Sequence, residues 1–345
     1  MAKQQFRAKN HYVPEGYLRR WAGSDGRLSV YRVLVSHPNV EVWATKSPGA
    51  VARHQHLYTR AAAGSDSDEI ERWLDREFES PAQAAISKAV SGAKLSIGDY
   101  RCLARFVAVQ DVRTPARLME ILARGREHVE DTLNDSVERS VRELEANLAA
   151  GKPIDLKSPA VGQHFPARVK VERGHDPSTS LIRVEAIVGR SYWLFAIQNL
   201  LTKTVTHLEK HRWTVLRAPR GVRWLTSDDP VVKLNWYEPG KYDFKGGWGS
   251  TNTEILLPLD PGHLLYTKVG ARPPPRGTGL TVEEAQVMQQ CIIEHAHRHV
   301  FATEPDSIVE QIRPRTVDAA LYGQEAEQWK RWHDEQSAAE RGLEL

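Results

Sequence analysis

The spacing of apolar residues changes character once along this chain, near residue 210, and that change constrains the fold more than any other feature. From about residue 66 to 210 apolar side chains recur every three or four positions, the repeat of a helix with one buried face. Ser65-Asp66-Ser67-Asp68 is a run of N-cap residues ahead of Ile70, Trp73, Leu74 and Phe78, which predicts a helix to about Val90. Ser96-Ile97-Gly98-Asp99 opens the next, and Tyr100, Leu103, Ala104, Phe106, Val107 and Val109 are dense enough to bury it. Thr114-Pro115 sits where a helix kinks or restarts. Leu122, Val129, Leu133, Val137, Val141, Leu144 and Leu148 then step by three, four or seven, as one long amphipathic helix or two joined near Gly125. Gly151-Lys152-Pro153 stops it, and the Pro-, Gly- and His-rich stretch 151–178 reads as a surface connection. Trp193 to Leu208 is helical again, while residues 181–188 either begin that helix or form a strand.

Beyond residue 212 the apolar residues collect into short runs between turn clusters: Trp213–Leu216, Trp224–Thr226, Ile255–Leu257 and Leu264–Tyr266, expected as strands of one antiparallel sheet. Thr281 caps a helix to about His297, Val300–Ala302 is a last strand, and a charged helix covers 325–341. Near the start, Pro14 opens a short helix to Trp21, and Leu28–Val33 alternates as a strand with Val40–Trp43 as hairpin partner. The expected class is α+β, with a helix-rich part (66–210) packed on a sheet from residues 25–45 and 212–302. Pairing between early and late strands would make 1–345 one domain.

Composition narrows the function classes. Two cysteines, Cys102 and Cys291, exclude a disulfide framework and give no zinc-finger spacing. There is no apolar core of signal-peptide length and no run of ~18 apolar residues, so no membrane partner and a cytoplasmic location are expected. A net charge of +3 does not by itself imply nucleic acid. Several of the ten tryptophans follow an arginine, Trp21, Trp73, Trp213 and Trp224 among them, which fits amphipathic packing better than base stacking. No Walker loop, GxGxxG or GxSxG is present.

Several motifs occur together. Asn10-His11-Tyr12-Val13-Pro14 leads into Tyr17-Leu18-Arg19-Arg20-Trp21. Gln110-Asp111-Val112-Arg113-Thr114-Pro115, Thr226-Ser227-Asp228-Asp229-Pro230-Val231 and Leu257-Pro258-Leu259-Asp260-Pro261 follow in order. With these motifs the chain resembles, from near residue 10 to near 302, a bacterial family known only as a domain of unknown function. The resemblance implies architecture and candidate positions, not a reaction.

Candidate chemistry centres on those motifs. Gln110, Arg113 and Arg117 share one helix face; Gln110 and Arg113 could hold a carboxylate or phosphate, or Arg113 could tie the amino-terminal segment to the helices. Asp228 is a candidate base or metal ligand at a strand end, or a side chain capping local amides. His11, with Tyr12 beside it, is a candidate acid or base, or a helix cap. Glu71 and Glu77 point to different sides of their helix, so they make no metal pair; Glu71 could meet His11 or Arg113 in space. His54-Gln55-His56 and His295-Ala296-His297-Arg298-His299 are dense; His295 and His299 could share a metal if the helix reaches that far. Two functions follow as expectations. One is a hydrolase or phosphodiesterase-like enzyme on a nucleotide or nucleic acid. In it His11 and Asp228 do the chemistry, Gln110, Arg113 and Tyr12 bind, and a divalent metal is a candidate cofactor. The other is a non-enzymatic interaction or accessory protein, in host–phage conflict for example, with the same residues as internal ties.

Overall fold

The computed structural model describes residues 6–62, 65–152, 165–173, 176, 179–238 and 240–342. The helix Ile97–Val112 runs through the centre. Leu103, Ala104 and every residue from Phe106 to Pro115 are buried, so this helix has no solvent face after its first turns. Its start is set by a full capping box, in which Ser96 and Asp99 satisfy each other's backbone N–H groups. Thr114 then caps the next helix, Pro115–Ala149, with proline in its first turn. That helix is unbroken over 35 residues. Gly125 is there for close approach rather than for a break: a Cβ would come within 2.8 Å of the Tyr192 ring and 2.9 Å of Val188. The expected helix to Val90 forms as Glu69–Leu74 and Ser80–Val90 joined by a π-helical turn, Asp75–Glu79.

Residues 181–188 resolve as the strand alternative. Ser180–Ala186 pairs antiparallel with Ala167–Arg173, and the following helix begins only at Arg190. The surface connection expected over 151–178 thus contains a strand; its residues 153–164, 174–175 and 177–178 lie outside the described residues.

The fold is α+β, as expected, but the late strands do not form one sheet. Thr214–Arg217, His263–Lys268, Glu254–Asp260, Val232–Glu238 and Lys241–Asp243 make a five-stranded antiparallel sheet in that order. Thr226–Ser227 leaves it and pairs instead with His299–Ala302, which pairs with Leu28–Arg32, which pairs with Trp43–Lys46. Early and late strands do pair, Val30 opposite Phe301. The hairpin partner of Leu28–Arg32 lies three residues later than expected, because Tyr31 sits opposite Trp43 and the two rings pack 5.4 Å apart. Val232–Glu238 is a strand that the sequence pattern does not predict: Lys233 is buried between Val232 and Leu234, on the opposite face of the strand, so the segment does not read as an apolar run.

Trp21, Trp193 and Trp224 are among the largest fully buried side chains. Trp21 Nε1 donates to the Trp224 carbonyl (2.8 Å), and Trp193 Nε1 to the Val112 carbonyl (3.1 Å). Tryptophans 21, 213 and 224 beside arginine are therefore core residues.

Gly125→Ala tests the close helix approach. The methyl adds about 1 kcal/mol of helix propensity but overpacks a site where such changes cost about 1–3 kcal/mol. A lower urea midpoint is expected; a higher one would show that Tyr192 and Val188 yield freely.

Candidate functional site

The turn between the two central helices organises what surrounds it. The Arg113 side chain is fully buried, and each guanidinium nitrogen has a protein acceptor: Nε the Tyr12 carbonyl at 2.9 Å, Nη2 the His11 carbonyl, Nη1 the Glu79 carboxylate. Its own carbonyl accepts from the Tyr58 hydroxyl at 2.8 Å. Two residues earlier, Asp111 Oδ2 accepts from Lys233 Nζ and from Trp248 Nε1, both at 2.7 Å, and Oδ1 accepts from Arg117 Nε at 3.1 Å. Burial pushes this carboxyl up, but the Lys233 and Arg117 charges outweigh it and hold it below the usual range. Thr114 Oγ1 donates to Asp229 Oδ1 at 2.9 Å, which joins the helix turn to the strand turn.

In front of this junction lies an open cleft of about 350 Å³. Tyr12, Pro115 and Asp228 form its floor together with His54, His297 and His299. Arg32, Lys46 and Arg53 line it as cations with no carboxylate partner among the described residues. The carboxy-terminal helix Ala319–Gly342 supplies another wall through Glu325 and Trp329. Another cleft, about 310 Å³, lies beside Arg60, Arg72 and Trp73, but no histidine lines it.

Asp228 is 4% exposed at its side chain and sits just after Thr226–Ser227. Its N–H donates to the His299 carbonyl at 3.1 Å, extending the strand pairing by one residue. Oδ1 accepts from the backbone N–H of His297 (3.0 Å) and Arg298 (3.2 Å); Oδ2 accepts from Arg298 N–H (2.9 Å) and faces His299 Nδ1 (3.3 Å). Burial alone would raise its pKa. The His299 hydrogen bond and charge, and the His297 charge, hold it below the usual carboxylate range. An ionised Asp228 fixes the His299 proton on Nδ1 and leaves the Nε2 lone pair free. His299 is 34% exposed, and Nε2 has no hydrogen-bond partner among the described residues. His54 is sandwiched between Tyr12 (5.5 Å) and Trp329 (3.8 Å); burial drives its pKa down to about 4, so it is neutral near pH 7.

The structure brings two of the five expected site residues, Tyr12 and Asp228, to this cleft. His11 and Arg113 meet behind it, through the His11 carbonyl rather than the imidazole. The His11 Nε2 atom is buried without a hydrogen-bond partner among the described residues, and burial lowers the His11 pKa. Gln110 is fully buried, neither of its side-chain polar atoms has a partner among the described residues, and it does not line the cleft. Glu79, not Glu71, pairs with Arg113. The helix ends at His295, so His295 and His299 are not on one helical face. His295 turns to Asp229, His299 to Asp228. The signal for His299 lay in the dense histidine run and in Asp228, but their strand pairing is not local.

Residues 9–306 match the family described as protein of unknown function (DUF4238). The chain belongs to that family, and the carboxy-terminal helix lies beyond the matched residues. Neither curated proteins nor solved structures give a match. No helix among the described residues is long and apolar enough to cross a membrane.

Glu71 offers a test of the buried charges around Arg113. Burial pushes its carboxyl up to about 7, with the Arg113 charge opposing and the Glu79 charge adding to the rise. The folded state therefore favours the protonated acid; that stability is complete below about 4.5 and lost as the pH rises through about 7. Glu71→Gln is expected to match wild type near pH 4 and to exceed it at pH 8 by about 1–3 kcal/mol. Equal urea midpoints at pH 8 would refute this.

Proposed function

We propose that the protein is a hydrolase of phosphate esters in a nucleotide or nucleic acid, with His299 as the proton-transfer group and Asp228 as the residue that orients it. The observation that carries this reading is the buried carboxylate–imidazole pair opening onto a cleft with three cations that have no carboxylate partner among the described residues. Such a pair presents a free imidazole nitrogen at fixed orientation, the arrangement of a general base. Arg32, Lys46 and Arg53 match the charge of a phosphate. Burial raises the Tyr12 pKa well above the usual phenol, so its hydroxyl stays a donor for a phosphate oxygen. In this mechanism water forms a bond to phosphorus as His299 Nε2 takes its proton. The phosphorus–oxygen bond to the leaving group then breaks, and that oxygen receives the proton. The role first expected of His11 passes to His299, because the His11 imidazole does not reach the cleft. Both oxygens of Asp228 accept backbone N–H groups, which suits an orienting carboxylate better than a metal ligand. The two cysteines are free thiols, which goes with a cytoplasmic setting.

One observation favours a second reading, a non-enzymatic interaction or accessory protein, including one in phage defence: Arg113, central to its motif, is wholly occupied inside the fold. On that reading the cleft binds an anion without turning it over.

The full chain should hydrolyse bis(p-nitrophenyl) phosphate or short oligonucleotides. His299→Ala should lower kcat by about 10²–10⁴-fold, and Asp228→Asn should lower it too while circular dichroism confirms folding. Oligonucleotide binding without turnover in wild type would select the second reading. Unchanged kcat in His299→Ala would remove the assigned mechanism.

A further inference from the structure

Away from that cleft, two imidazoles and a carboxylate come together where three distant segments meet. His56 follows the strand Arg53–Gln55, Asp66 lies on Ser65–Ser67, and His333 is on the carboxy-terminal helix. One ligand atom from each lies within 4.8 Å of the others. His333 Nε2 is 3.2 Å from Asp66 Oδ2, and His56 Nδ1 is 4.0 Å from the same oxygen. His56 holds a left-handed backbone conformation, φ 53°, uncommon for a residue with a Cβ. With that backbone its ring lies against His333, with ring centroids 3.9 Å apart.

We propose that His56, Asp66 and His333 form a binding site for a divalent transition metal of the zinc class. Two imidazole nitrogens and one carboxylate oxygen are the donors such ions take, with water in the remaining position. Bonds of about 2.0–2.1 Å in a tetrahedral site set ligand atoms roughly 3.3 Å apart. The His333–Asp66 pair already has that separation, and His56 closes by less than an ångström against Asp66. Ligation through His333 Nε2 places that ring's proton on Nδ1, where Ser337 Oγ, 3.4 Å away, accepts it. Arg190 Nη1, 3.1 Å from Nδ1, gives up this one contact and keeps Glu340 and Ser337 through Nε and Nη2. The ion would pin the carboxy-terminal helix one turn beyond Trp329, the residue stacked on His54 in the cleft wall.

The test is titration of Zn²⁺, and separately Co²⁺, into the full chain, tag-free and stripped with chelator, by calorimetry and by Co²⁺ absorption. One equivalent is expected, with a rise in Tm. Asp66→Asn and His56→Ala should each weaken it by more than about tenfold, and His333→Ala likewise if that variant folds. Absence of a bound equivalent, or an equivalent that Asp66→Asn and His56→Ala both leave unchanged, would overturn the site.

Discussion

A fully buried guanidinium must have its charge met and its donors used, and in this protein that requirement falls on Arg113. Glu79 supplies the charge, and the carbonyls of His11 and Tyr12 take two other nitrogens. The extended amino-terminal segment is thereby fixed to the end of the most buried helix, with further support from Tyr58 on the Arg113 carbonyl. Tyr12 reaches the cleft floor because its backbone is anchored there. Without these carbonyls the charge would be left with one partner in an apolar interior, a costly state.

Two neighbouring aspartates on the strand turn show how position sets chemistry. Asp229 faces inward to Thr114 and His295; burial raises its pKa against the His295 and Arg117 charges. Asp228 faces the cleft, accepts backbone N–H groups from 297 and 298, and is held ionised. Successive residues of extended chain project to opposite sides, so one dipeptide serves the core and the site at once.

The carboxy-terminal helix completes the cleft from outside the family-matched region. It is held by Arg298 on Glu325, by Arg190 on Glu340, and by the stacking of Trp329 on His54 and His333 on His56. Residues four apart on the helix meet residues two apart in the chain, which matches one helical turn to two residues of extended backbone.

The sequence determined what depends on near neighbours. Ser96 as a helix opening, Thr114-Pro115 as a kink or restart, the continuous apolar repeat to Leu148, the change to strands after residue 210 and the α+β class were legible, because helix spacing and capping act within a few residues. Asp228 and Tyr12 were legible in the sequence as chemically capable residues, and both reach the cleft. Tertiary structure alone decided the rest. It moved Thr226–Ser227 into the sheet of Leu28–Arg32, set Lys233 against Asp111, and gave Arg113 to backbone carbonyls. It also put His299, not His11, beside Asp228. Each of these joins residues about 70 or more positions apart, and which partner wins is settled by register and burial across the whole chain, which local spacing does not encode.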